Sequence, residues 1–215
     1  MIPVKVLAVK YLNNVSPALS KGLGAPKNCP SIGMLTTDCD DATYIALDAA
    51  TKAADVRVSY GRSFYAGAAN ASTPNAGEVI GVLAGPTPGA VRSGMEAALR
   101  MLERIGFEEV NGVPYLAHTV ASVGSFLAQE AGVNLGSALS YLIAPPLESM
   151  YAMDAALKAA DVKLCKLYAP PSETNFGGGL LSGTQSACEA ACAAFAAAVS
   201  QVAANPRITE GNYGV

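Results

Sequence analysis

The chain has 215 residues, of which 51% are hydrophobic and only 14% charged, and its formal net charge is −3. An acidic balance with no basic block and only scattered arginines argues against nucleic acid as a partner. The apolar excess points to surface hidden in an oligomer as well as in a core. No stretch reads as a membrane span, because the longest charge-free runs are broken by Gly, Pro, Asn, Ser and Gln or are mostly Ala. The opening MIPVKVLAVKYL lacks the layout of a secretory leader. Five cysteines without a C-x-x-C pair read as small reduced core residues of a cytoplasmic protein.

In chain order, alternation predicts a strand over residues 4–12, and a short helix follows over 16–23. A second strand spans 32–37. The run Asp38-Cys39-Asp40-Asp41 supplies capping side chains for a helix that reaches residue 54. A third strand covers 56–60, and a Gly- and Ser-rich connection runs over 62–77. Residues 79–84 make the fourth strand, and a long helix occupies 90–105. The second half repeats this order: a strand at 115–123, a short helix at 126–131 and a strand at 138–144. A helix at 148–160 and a strand at 162–168 come next, then the loop APPSETNFGGG. A short strand around Leu180 and Leu181 and a helix over 187–203 complete the half.

The repetition is literal in places. Residues 46–56 read ALDAATKAADV and residues 152–162 read AMDAALKAADV, 106 positions apart. Gly-Val-Leu-Ala-Gly at 81–85 parallels Gly-Leu-Leu-Ser-Gly at 179–183, with an offset of 98. The chain is thus a tandem duplication, each half β-β-α-β-β-α and about 107 residues long. That order fits an α+β fold, with a small, mainly antiparallel sheet and flanking helices in each half. The domains are expected at 1–107 and 108–206, with a disordered tail over 207–215. Ala-rich helices favour close packing on a sheet or on a neighbouring subunit, and Ala also simply favours helix.

Catalytic signatures are missing from the sequence. The one histidine, His118, sits in a strand-like stretch; Cys188 and Cys192 are one helical turn apart without other metal ligands; no nucleophile elbow, P-loop or dinucleotide fingerprint occurs. The chain is not expected to be an enzyme, to hold a metal or to need a catalytic cofactor. Two features remain. The acidic patch at 38–41 holds three carboxylates where one suffices to cap a helix, so it reads either as a cap or as a site for a small cation. The connections 60–78 and 168–179 are long for hairpins, and long loops are often functional.

The segments D-x-x-x-K-A-A-D-V at Asp48 and Asp154 resemble the D-x-x-x-K-A-A-x-V segment of bacterial microcompartment shell domains. Two copies point to the tandem-domain shell proteins. DCDDATYIALDAATKAA, YGRSFYAGAANAS, AGEVIGVLAGP, YLIAPPLESMYAMDAALKAADV and PPSETNFGGGLLSGTQSACEAACAAF are similar to the ethanolamine-utilisation shell proteins of the L type, over nearly the whole chain to about residue 206. Residues 103–114 are shorter than that pattern.

The resemblance implies two circularly permuted microcompartment domains and a homotrimer that imitates a hexamer. Such trimers tile, with other shell proteins, into a sheet around the enzymes of ethanolamine breakdown in the cytoplasm. Lys52 and Lys158 would lie on subunit edges, their ammonium groups meeting carbonyls or carboxylates. The resemblance also implies a central pore gated by loops, matched here by Phe64, Tyr65, Ala66 and Gly67 with Pro171, Ser172, Glu173, Thr174, Asn175 and Phe176. Tyr65 would serve as the plug, and Gly67 with Gly177–Gly179 would give the loops their freedom. It places an ethanolamine-binding small pore at Asp40, Asp41, Glu78 and Thr174, with Phe107 as a cover in the shortened segment. Carboxylates suit the ammonium and a threonine suits the hydroxyl. Competing readings are a shell protein of an ethanol or propanediol compartment, a free-standing small-molecule sensor, and an enzyme with an inter-domain site.

Overall fold

The computed structural model describes residues 1–64, 77–170, 172 and 174–207. Compactness divides the chain into two units. Unit 1 comprises Met1–Gly106 and Val120–Ser137; unit 2 comprises Phe107–Thr119 and Ala138–Val215. A single cut after residue 107 does not describe this grouping, because the segment Val120–Ser137 of the second half joins the first.

In chain order the elements are β1 (Ile2–Pro3), β2 (Val6–Leu12), α1 (Pro17–Gly22), β3 (Ser31–Thr37), α2 (Asp40–Ala53), β4 (Arg57–Ser63), β5 (Val79–Gly85) and α3 (Pro88–Leu102). Then come β6 (Gly106–Val110), β7 (Val113–Val120), α4 (Ser125–Ala131), β8 (Ala138–Ala144), α5 (Pro146–Ala159), β9 (Val162–Tyr168), β10 (Gly177–Gly183) and α6 (Gln185–Ala204). Unit 1 orders its strands β2-β3-β5-β4, and unit 2 orders β7-β8-β10-β9 with β6 beside β7. The duplication extends to register. Ser31 pairs with Gly85 as Ala138 pairs with Gly183, and both edge strands slip by one residue, at Ser59 in β4 and at Cys165 in β9.

Each unit packs two helices together over its sheet: α2 with α3, and α5 with α6. In unit 2, Phe195 is fully buried among Leu142, Met153, Ala156, Leu181 and Val199. Two helices start earlier than their apolar pattern suggests, for a capping reason. Thr87 Oγ1 accepts from Ala90 N at 3.1 Å with Pro88 behind it, and Thr184 Oγ1 accepts from Ala187 N at 3.2 Å. Helix α6 is, by length and composition, apolar enough to cross a membrane. Its bulk is alanine, and a stripe from Cys188 through Phe195 to Val202 is buried.

Two expectations are corrected. Strand β6 is absent from the predicted elements, yet it forms a hairpin with β7 in which Val110 faces Val113 across Asn111 and Gly112, at φ 48 and 79. Asn-Gly is the sequence signature of such a two-residue turn. Gly177, Gly178 and Gly179 are buried strand residues of β10 and not a loose loop. They permit close packing there: at Gly178, φ is 149 and an added Cβ would collide with the Leu142 carbonyl oxygen.

Candidate acidic site

Strand β3 ends in a turn that delivers the acidic run into unit 1. Thr37 Oγ1 donates to Cys39 O at 2.9 Å, accepts from Cys39 N at 3.1 Å and lies 2.7 Å from Thr43 Oγ1, which in turn reaches Cys39 O. This buried network fixes where α2 begins. The N-cap residue is Cys39, with no side-chain cap bond among the described residues. Asp38, part of the run expected to supply capping side chains, is held elsewhere, because its Oδ1 accepts from Lys5 N at 2.7 Å at the start of β2.

Asp40 and Asp41 occupy the first turn of α2, where the helix dipole favours negative charge, yet each is only 7% exposed. Asp40 Oδ1 accepts from Asp41 N at 2.9 Å, and Ser63 at the end of β4 donates to the same carboxylate. Glu78 joins them through its backbone: its N–H reaches Thr37 O at 2.8 Å and its carbonyl accepts from Phe64 N at 2.9 Å. Burial, then the neighbouring Asp40 and Asp38, push the Glu78 carboxyl up to about 7. Burial also raises Asp40 above the usual carboxylate range, against the hydrogen bonds that favour its charge. The Cys39 thiol, buried and beside Asp41, is pushed far up and stays protonated. The cluster therefore suits a positively charged guest, which would relieve the repulsion between its acids.

Asp40, Asp41 and Glu78 thus gather in unit 1. Sequence reasoning missed Ser63 and Tyr44, whose hydroxyls are 2.6 Å apart. Tyr44 had a readable signal, since it stands one helical turn after Asp40.

Thr174 and Phe107 belong to unit 2. Phe107 packs on Phe176, with ring centroids 5.7 Å apart. Thr174 N donates to Ser172 Oγ at 3.3 Å, and Asn175 takes a left-handed φ of 68. Phe64 stands exposed at the end of β4. Tyr65, Ala66, Gly67, Pro171, Glu173 and the tail from residue 208 lie outside the described residues. Lys52 donates to Ser122 O at 2.8 Å and lies 3.3 Å from Asp48, whereas Lys158 meets only its helix neighbour Asp154, at 2.6 Å, among the contacts the described residues define.

Comparison with known proteins gives a consistent picture. The family described as BMC domain matches residues 31–114. The chain is 57% identical to the bacterial microcompartment shell protein EutL of Clostridium perfringens over 210 residues, covering 96% of this chain and 97% of that one. It is 46% identical to EutL of Escherichia coli, with 96% of each chain covered. The crystal structure of ethanolamine utilization protein EutL from Leptotrichia buccalis superposes with a TM-score of 0.93 at 56% identity, covering 97% of this chain and 98% of that chain.

Proposed function

Because this chain belongs to the EutL family of bacterial microcompartment shell proteins, we propose that it works as a pore-bearing tile which admits ethanolamine and catalyses nothing. Three copies form a ring with six similar units, and rings join one another and other shell proteins into the wall of a microcompartment in the cytoplasm. The two units of one chain support this reading, since they share strand order and register. Lys52 and Lys158 lie on the edges where one subunit meets another. The segment beginning at Phe64 and the segment 171–176 gate a central pore, with Tyr65 as its plug. Pore width and lining charge select what crosses.

The observation that carries the ligand assignment is the crowded acid cluster. Asp40, Asp41 and Glu78 hold the ammonium of ethanolamine by charge-assisted hydrogen bonds, and the family resemblance gives Thr174 as the partner of its hydroxyl, with Phe107 as a cover. Calorimetric titration tests it. Asp41→Asn weakens ethanolamine binding by on the order of tenfold or more. Affinity for the ammonium also rises with pH, because the Glu78 carboxyl ionises around 7. Between pH 6 and 8 the gain approaches about tenfold, the change in the ionised fraction of such a group. Unchanged affinity in the variant removes Asp41 from the site, and a flat pH profile removes Glu78.

A further inference from the structure

The acids of unit 1 share their helix with an aromatic hydroxyl. Tyr44 follows Asp40 by one turn of α2, so the two side chains lie on one face. From there Tyr44 crosses to β4, on which α2 packs. Gly61 makes room for the ring, since a Cβ there would stand 3.2 Å from Tyr44 Cε1. Phe126 of α4 packs beside it over the same glycine, with ring centroids 5.8 Å apart. Held in this way, the Tyr44 hydroxyl lies 2.6 Å from Ser63 Oγ. Ser63 is two residues beyond Gly61, on the same face of β4.

The order of donors follows from a count of protons. Ser63 is hydrogen-bonded to the Asp40 carboxylate as well. A carboxylate only accepts, and a serine hydroxyl has one proton to give. Ser63 therefore donates to Asp40 and accepts from Tyr44. The three groups form a relay, Tyr44 to Ser63 to Asp40, in which each bond polarises the next.

The second half of the chain shows that the fold does not need this relay. At an offset of 106, Asp40, Asp41, Tyr44 and Ser63 correspond to Pro146, Leu147, Met150 and Ala169, and at an offset of 98 Glu78 corresponds to Phe176. Even so, α5 packs on β9 as α2 packs on β4. A hydroxyl that serves the fold is kept: Thr43 Oγ1 donates to Cys39 O at 2.8 Å, and its repeat, Ser149, donates to Pro146 O at 2.9 Å. The three acids have all been replaced by apolar residues in unit 2, and the repeats of Tyr44 and Ser63 have lost their hydroxyls with them. Residues that serve packing alone have no reason to change with the acids; residues that serve the acids do.

We propose that Tyr44 and Ser63 are positioning residues of the acidic site: Tyr44 donates to Ser63, Ser63 donates to Asp40, and the relay favours the charged form of the Asp40 carboxylate and aims it at an ammonium guest. Burial works against that charge, and the Ser63 bond is the leading contribution on the other side. The proposal deepens the ligand reading above and rests on it for the identity of the guest.

Two readouts test it: carbon-13 NMR titration of aspartate-labelled protein, and calorimetric titration with ethanolamine at about pH 8, where Glu78 is mostly ionised. Tyr44→Phe removes only the hydroxyl and leaves the ring over Gly61. The Asp40 carboxyl then titrates at a higher pH than in the parent, and ethanolamine binds about three- to tenfold more weakly. Ser63→Ala weakens binding by about tenfold or more, because it removes the bond made to the charge itself. The double variant is no weaker than Ser63→Ala alone, since Tyr44 acts through Ser63. Ser63→Thr keeps the hydroxyl and retains the parental values. A hydroxyl pair that served packing alone would lower the melting temperature and leave the Asp40 titration where it was, and that result overturns the proposal. Additive losses in the double variant overturn it too, because Tyr44 then reaches the site by another route. If the unsubstituted chain fails to bind ethanolamine, the ligand reading falls, and the Asp40 titration in Tyr44→Phe and Ser63→Ala still decides whether the relay exists.

Discussion

Replacing Asp48 by Ala lowers the stability of the protein by about 3–5 kcal/mol, the usual cost of removing one partner from a buried charged network. Its carboxylate is fully buried and accepts from the amides of Gly124 and Leu127, with Lys52 3.3 Å away. Truncation strands two buried N–H groups, each at about 1–3 kcal/mol. It also releases α4 from α2, so Leu127 loses its burial. For a chain of this size the melting temperature falls by on the order of 10 °C. The sequence-equivalent change Asp154→Ala, made on the exposed face of α5, moves the stability of the unassembled chain by less than about 0.5 kcal/mol. Thermal unfolding of both variants checks the pair. Equal effects would mean that the buried contact in unit 1 contributes no more than a surface ion pair.

Gly178→Ala costs about 3 kcal/mol or more, combining backbone strain with overpacking. Gly178 lies between two partners, opposite Ile143 on β8 and Tyr168 on β9, at φ 149. A methyl group there meets the Leu142 carbonyl, a backbone atom of a fully buried strand that cannot turn away. Gly112→Ala, at φ 79 in the exposed β6–β7 turn with open space around it, costs only about 1–2 kcal/mol. Urea unfolding separates the two. Were Gly178 a hinge for the neighbouring loop, the alanine variant would instead keep its stability and stiffen residues 171–176.

Much of the fold was legible because the duplication is written in the sequence. ALDAATKAADV and AMDAALKAADV fall on equivalent positions of α2 and α5, and the GVLAG and GLLSG segments fall on β5 and β10. The acidic run at 38–41 was legible as a cluster but not as a geometry. The whole run reads as a source of capping side chains, and only the tertiary position of Lys5 shows that the Asp38 carboxylate is committed elsewhere. Glu78 reaches the cluster through a backbone bond to Thr37, and no local pattern records a contact across 41 positions. The exchange of Val120–Ser137 into unit 1 was hidden for the same reason. It depends on a buried carboxylate meeting amides 76 and 79 residues away. The β6–β7 hairpin is different, since Asn111-Gly112 is a local signature of its two-residue turn.

The charge distribution connects these parts. Buried carboxylates serve two opposite purposes in unit 1. Asp48 is satisfied by two amides and a lysine, so it holds structure. Asp40 is raised by its burial, and the half-buried Glu78 by burial and by the neighbouring Asp40 and Asp38, so their protons are held more tightly than usual. Acids left in that condition favour a cation as a guest.

Assembly into a ring that tiles is the property on which the shell function depends. Native mass of the purified chain, followed by electron microscopy of the same sample at high concentration, tests it most directly. A particle of three 21.8 kDa chains that packs edge to edge into flat sheets is the predicted result. A monomer or dimer that never tiles would contradict it, leaving a small-molecule sensor built on the same repeated domain as the better description.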